Sequence, residues 1–270
     1  MPILFLNRYV SMVLNTRYFS GMALCLLLQA CMHNNDISEQ QTLKKPDLTK
    51  ASAYNVQLGL GYLKQGDRPR AKKKLLTALE QEPRSADANS AMAYYFEQTS
   101  EPVQAKKFYL KALSLAGNAG AQLNNYGAFL CRQGDYKEAE FYFLKAAADL
   151  HYVHTAGAYE NAGLCALSAK QVEHAKPYFI KALNQDPSRK VSFYELVKIE
   201  MKSGHNASAY ALIQKHADLV LNDRTLLFLA KEVAEKAGQY EVAAMYKQTI
   251  KKTDPNLDIG GANNEYNNHA

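Results

Sequence analysis

The chain has 270 residues, 47% of them hydrophobic, with only 14 Gly and 8 Pro. That is ample material for a sizeable core, and the wealth of Ala, Leu, Lys and Glu points to helix and away from a low-complexity chain. The 32 Lys and Arg against 26 Asp and Glu give a net charge of +6, mild and spread along the sequence, which by itself defines no nucleic-acid footprint.

The first element in chain order is apolar. Arg8 and Arg17, with no acidic residue upstream, precede the mostly apolar run from Tyr18 to Leu28, too short to span a bilayer as a permanent helix. It reads as a signal peptide over residues 1–30, for which Met12 would be a more usual start than Met1. Leu28-Gln29-Ala30-Cys31 resembles the lipobox of bacterial lipoproteins, in which the cysteine thiol takes a diacylglyceryl group and the chain is cut before it. Gln29 departs from the small or β-branched residue common at its place. Cys31 is the candidate lipidation site, the other reading being an ordinary secretory signal or uncleaved anchor with an incidental cysteine. Two or three acyl chains, at about 0.8 kcal/mol per buried methylene, hold a protein on a membrane without a spanning helix. By the same resemblance, Met32 in place of an Asp after the cysteine implies sorting to the periplasmic face of the outer membrane. Without Arg8 and Arg17, 30 basic residues face 26 acidic ones, a charge of +4. Residues 31–51 then read as a polar tether without helical periodicity, able to reach about 60 Å if extended.

From residue 52 the sequence repeats itself. Leu58-Gly-Leu-Gly-Tyr62 is followed by Ala71, Leu75, Ala78 and Pro83. A step of 34 residues leads to Ala105, Tyr109 and Ala112, and another 34 to Ala139, Phe143 and Ala146. A step of 36 gives Ala175, Phe179, Ala182 and Pro187, and two more of 34 give Ala209 with Ile213, then Ala243. This is the tetratricopeptide (TPR) pattern, so the expected fold is all-α, a superhelical array of about six helix-turn-helix repeats. The repeats fall at 52–85, 86–119, 120–153, 156–189, 190–223 and 224–257. Gly at the eighth position and Ala at the twentieth are expected where two antiparallel helices touch, and the large residue at the twenty-fourth is expected to fill the gap towards the next repeat. Gln65-Gly-Asp67, Gln133-Gly-Asp135, Ser203-Gly204 and Ala237-Gly238 mark turns between the paired helices. Residues 258–270, Asn- and Gly-rich, read as a disordered tail.

No catalytic constellation emerges. There is no H-E-x-x-H, C-x-x-C, phosphate loop or G-x-S-x-G, and Gly59-Leu-Gly61 lacks the third glycine of a nucleotide-binding turn. No enzyme activity, cofactor, metal or small-molecule substrate is therefore expected. His151 and His154 stand as a lone pair without nearby carboxylates or thiols, which favours a polar loop over a metal site. The cluster Arg68-Pro-Arg-Ala-Lys-Lys-Lys74 suggests nucleic acid or anionic lipid as a partner, but without interleaved aromatics or a nucleic-acid motif it favours a solvated helix face. Cys131 and Cys165 fall on neighbouring first helices, and helix axes about 8–10 Å apart favour two packed small side chains over a disulfide.

What such an array offers is a groove lined by its first helices. Positions two, five, nine, twelve and thirteen of the first repeat are Ala53, Val56, Leu60, Leu63 and Lys64, an apolar stripe. Tyr94 continues it, and Asn124 and Arg132 could grip a backbone or an acidic side chain. An exposed apolar stripe with a polar rim marks a partner site, unless the segment before Ser52 covers it. The Lys and Asn clamp that chaperone-binding arrays use for a terminal carboxylate is not reproduced.

Taken together, Ala53-Tyr-Asn-Val-Gln-Leu-Gly-Leu-Gly-Tyr-Leu63, Ser85-Ala-Asp-Ala88, Leu123-Asn-Asn-Tyr-Gly127, Tyr136-Lys-Glu-Ala139 and Glu160-Asn-Ala-Gly-Leu164 resemble the type IV pilus secretin pilotins, the TPR lipoprotein family of PilF and PilW. The resemblance extends to the order of lipobox, tether and six repeats. It implies a non-catalytic protein whose groove holds a PilQ-like secretin subunit while its lipid carries the pair to the outer membrane, where the secretin ring assembles. Carried over, Cys31 is the anchor, Val56, Leu60, Leu63 and Tyr94 are the apolar contact, and Asn124 is a backbone hydrogen-bond partner. A TPR scaffold for cell-wall synthesis or outer-membrane barrel assembly is the rival reading.

Overall fold

A computed structural model describes residues 47–253. Cys31, the expected signal peptide and the tail lie outside the described residues, as does all of the tether before Asp47. In chain order the described helices are α1 (Leu48–Lys64), α2 (Arg68–Gln81), α3 (Ala86–Gln98), α4 (Pro102–Leu115), α5 (Gly120–Arg132), α6 (Tyr136–Ala147), α7 (Thr155–Ser168), α8 (Val172–Gln185), α9 (Lys190–Lys202), α10 (Asn206–Lys215), α11 (Ala217–Leu221), α12 (Arg224–Lys236) and α13 (Tyr240–Thr253). None is long and apolar enough to cross a membrane.

The helices form antiparallel pairs because small and large residues recur in register. Ala71, Ala105, Ala139, Ala175 and Ala209 are each 0% exposed, so the second helix of each of these pairs meets its partner through a methyl group. Opposite them, a Cβ added at Gly163 would come within 2.7 Å of the Phe179 ring, and one at Gly59 within 2.6 Å of Leu75. The twenty-fourth residue of these repeats thus packs first onto the glycine of its own pair, and only then towards the next. Phe143 does both, sharing a cluster with Ala158 and Ala162 of the following pair.

Each pair turns in the same way. The chain enters the left-handed region at Gly66, Ser100, Gly134, Lys170, Gly204 and Gly238, with φ of 77°, 62°, 87°, 61°, 75° and 73°. The residue after each donates its N–H to a carbonyl five positions back, as in Asp67 to Tyr62 at 2.9 Å and Gln171 to Ala166 at 2.8 Å. That bond closes a Schellman motif and satisfies a terminal carbonyl of the first helix. Side-chain caps start several helices: Asp67 accepts from Arg70 N, Ser85 from Ala88 N and Asp223 from Leu226 N.

Two departures from the regular pattern have local causes. The second helix of the fifth pair breaks at His216, whose backbone leaves the helical region (φ −114°, ψ 35°) while its ring lies 5.2 Å from Phe193. The short α11 that follows returns Val220 to the core. At the other end, α1 begins at Leu48, inside the stretch read as tether, where Thr49 Oγ1 donates to Glu82 Oε2 at 3.3 Å and Ser52 Oγ to the Ala78 carbonyl at 2.9 Å.

Successive first helices pack on one another, whereas successive second helices meet marginally at most. The array therefore curves with α1, α3, α5, α7, α9 and α12 on its inner side. Its core is three adjoining clusters, centred on Leu75 and Met92, on Tyr126 and Phe143, and on Phe179, Phe193 and Leu226. The sequence expectation for Cys131 and Cys165 is corrected here: they form a disulfide between α5 and α7. Small residues let these helices converge, and both side chains point into the seam, so the Cα atoms are 5.8 Å apart even though typical helix axes stand farther off.

Candidate partner-binding groove

The inner face is assembled from one stripe of each first helix, and ties between neighbouring helices fix its shape. Between α3 and α5, Gln122 Nε2 donates to Asp87 Oδ1 at 2.9 Å, and Arg132 forks onto Glu97 through Nε and through Nη2, the latter at 3.0 Å. Tyr109 Oη donates to the same carboxylate at 3.1 Å, and burial together with the Glu97 charge pushes that phenol well above its ordinary pKa. Between α5 and α7 lie the disulfide and a bond from Asn161 Nδ2 to Asn124 Oδ1 at 3.0 Å.

Glu160 provides the next tie. Only 7% exposed, it accepts from Ser192 N at 3.0 Å, from Ser192 Oγ at 2.7 Å and from the Arg189 guanidinium. Its carboxylate sits over the first turn of α9, where free N–H groups and the helix dipole favour negative charge. One repeat thus caps the next, a role that sequence periodicity does not announce because the donor is a whole repeat away.

Against this frame the expected contact residues separate. Leu60 and Tyr94 stand open at 37% and 38% exposure. Val56 and Leu63, each 9% exposed, pack with Leu75, Ala91 and Met92, because α3 lies against the side of α1 that carries them. They form the floor beneath the open residues. Asn124 is half-buried, and its side-chain carbonyl is occupied by Asn161. Arg132 is committed to Glu97 within the array. Cys31 lies outside the described residues.

The structure adds two residues that the groove positions do not include. Tyr54 and Leu58 are 67% and 48% exposed. Their counterparts one repeat on, Ala88 and Met92, are 0% and 1% exposed, since every later first helix is covered by the pair before it. The first helix has no predecessor among the described pairs, so an apolar surface of core type stays open on the face of α1 turned away from Val56 and Leu63. Counting repeats from the first one would have found it.

Chemistry beyond binding has little to work with. Among the described residues no group of three or more His, Cys, Asp or Glu could hold a metal ion. His151 and His154 are both exposed, the latter edge-on to Tyr152 with ring centroids 5.8 Å apart.

Paired helices with small residues at their contacts, a repeated turn and a tied inner face define a tetratricopeptide-repeat protein that works by binding. No family model matches the sequence. It is 34% identical over 233 residues to the type IV pilus assembly protein PilF of Pseudomonas aeruginosa, covering 84% of this chain and 90% of that one. A solved structure of Pseudomonas aeruginosa PilF aligns with a TM-score of 0.62 at 32% identity, over 78% of this chain and 96% of the other. PilW, described as a widely conserved type IV pilus biogenesis factor, aligns with a TM-score of 0.60 at 26% identity, over 77% and 96%. The chain belongs to the PilF/PilW family.

Proposed function

We propose that this chain is an outer-membrane lipoprotein, anchored through Cys31, that receives a PilQ-like type IV pilus secretin subunit in its groove and promotes its targeting and assembly. Family membership supports the pathway. The observation that carries the binding role is the open apolar end of the inner face, where Leu60 and Tyr94 stand exposed over a floor of Val56 and Leu63. Tyr54 and Leu58 are a second, separate apolar patch on another face of α1, and the Asn124 amide supplies a donor for a partner's backbone. Apolar side chains of core type left at a surface mark a partner site.

The test is membrane fractionation of cells carrying the wild type, Cys31→Ala or Leu60→Asp, following the assembled secretin ring in the same samples. Cys31→Ala is expected to remove both the protein and the ring from the outer membrane. Leu60→Asp is expected to leave the protein in place and abolish the ring. A normal ring with a folded Leu60→Asp protein overturns the groove assignment. A normal ring with mislocalised Cys31→Ala protein overturns the targeting role and favours a scaffold for another envelope assembly.

A further inference from the structure

The outer side of the array carries a pattern that neither the core nor the groove uses. Second helices present their outermost turn at the twenty-fifth position of the repeat, which holds Leu76, Leu110, Leu144 and Ile180 at 45%, 43%, 36% and 39% exposure. None of the four belongs to a core cluster. In the last two repeats the same position holds Gln214 and Gln248, so the apolar stripe runs along four pairs and stops. Repeat stability does not require it, since the last two pairs fold without it.

Charge distinguishes the amino-terminal half of this stripe. α2 carries five cations and one Glu, and α4 carries three cations and no acid. Lys72 and Lys73 precede Leu76 by four and three residues, and Lys106 and Lys107 precede Leu110 identically. At that spacing each pair of ammonium groups shares a helix face with its leucine. Val103, 80% exposed, lies one further turn back on α4, while Glu80 is the one acid on the α2 face. All four lysines are exposed. Among the described residues their one close partner is the Tyr95 ring, 5.9 Å from Lys72 Nζ.

We infer that the outer face of α2 and α4 rests on an anionic phospholipid surface. The chemistry favours a fluid sheet of headgroups over a shaped partner. Lysines are flexible point charges that attract phosphate without fixing its orientation, and they extend past their own aliphatic stems to do so. Leucines one turn away reach into the boundary between headgroups and acyl chains. Nucleic acid would supply the charge but no place for the leucines. The consequence is orientation: with the outer face on the membrane, the groove on the opposite side faces the compartment. The inference is independent of lipidation at Cys31, because it concerns the packed unit that begins at Leu48 and contains all three core clusters.

That independence sets the experiment. The chain from Met32 onward, without its acyl anchor and with its helical fold checked by circular dichroism, is sedimented with vesicles of phosphatidylcholine alone or mixed with phosphatidylglycerol. Binding to the anionic vesicles is expected to be at least about tenfold stronger than to the neutral ones, and to fall with added salt. Lys106→Glu with Lys107→Glu should weaken it about tenfold, and Leu76→Ser with Leu110→Ser about threefold. Leu60→Asp, on the inner side, should change nothing. Equal binding to neutral vesicles, unchanged binding by the folded lysine variant, or no binding to anionic vesicles each overturns the inference, and the last would assign the face to an acidic protein partner.

Discussion

Cys131 and Cys165 are bonded across the seam between α5 and α7 and close a loop of 34 residues that contains the whole of α6. Constraining an unfolded chain over a loop of that length is worth about 3–4 kcal/mol. Cys131→Ser with Cys165→Ser, or reduction of the wild type, should lower stability by that amount in urea unfolding. Because repeat arrays unfold through neighbour interfaces, hydrogen exchange should place the loss in the third and fourth repeats. Equal stability with and without reductant would contradict this.

Gly163 and Phe179 form a contact without slack. A Cβ at Gly163 would lie 2.7 Å from a ring that is 0% exposed and walled in by its own core cluster. Gly163→Ala is expected to cost about 1–3 kcal/mol through overpacking. Adding Phe179→Leu, which empties the space the methyl needs, should recover part of that loss. A double-mutant cycle measures the coupling, and additive losses would show that the two residues do not compete for the same volume.

The turn position is glycine in four pairs but Ser100 and Lys170 in the other two, each with φ near 60°. A side chain there pays the left-handed penalty that glycine avoids. Ser100→Gly and Lys170→Gly should each stabilise the array by about 0.5–1 kcal/mol, the relief of strain exceeding the entropy that glycine adds to the unfolded chain. Gly134→Ala should destabilise by about 1 kcal/mol. Thermal unfolding of the three variants decides the order.

His216 gives the array a pH response with a definite sign. Burial first, and the nearby Lys215 charge second, lower its pKa in the fold, with a bond to the Pro187 backbone opposing them. An imidazole held neutral in the fold binds fewer protons than in the unfolded chain. Its contribution to stability is therefore present above its unfolded pKa of about 6.5 and is lost as pH falls below that value. The slope of stability between neutral and mildly acidic pH should flatten in His216→Gln. An unchanged slope would assign the pH dependence to other groups.

How much of this was legible depends on whether a residue's neighbour lies in its own repeat. The alanines at Ala71, Ala105, Ala139, Ala175 and Ala209 declare their contacts through spacing alone, and all are fully buried. Leu60 and Tyr94 were readable as open positions by the same arithmetic. Val56 and Leu63 share the stripe in sequence but turn towards α3, an approach set by the packing of successive first helices. Leu63→Asp therefore probes stability rather than binding. The disulfide and the Glu160 cap join residues about one repeat apart, and periodicity does not say which side chains cross the seam. The missing signal in both cases is distance between helices.

The two ends of the array differ in kind. At the start, Tyr54 and Leu58 present the surface that later pairs bury. At the end, α13 places Lys247 and Lys251 where earlier second helices carry Phe179 and Leu183 against the following pair. Stacking one molecule on another end to end would press Tyr54 and Leu58 against those ammonium groups, stripping them of water without a counter-charge. Head-to-tail contacts that do not close into a ring grow without limit, and this mismatch disfavours them. The repeat that makes the fold easy to extend is terminated by two lysines, so the apolar face at the start of the array finds no matching face at the far end of a second copy.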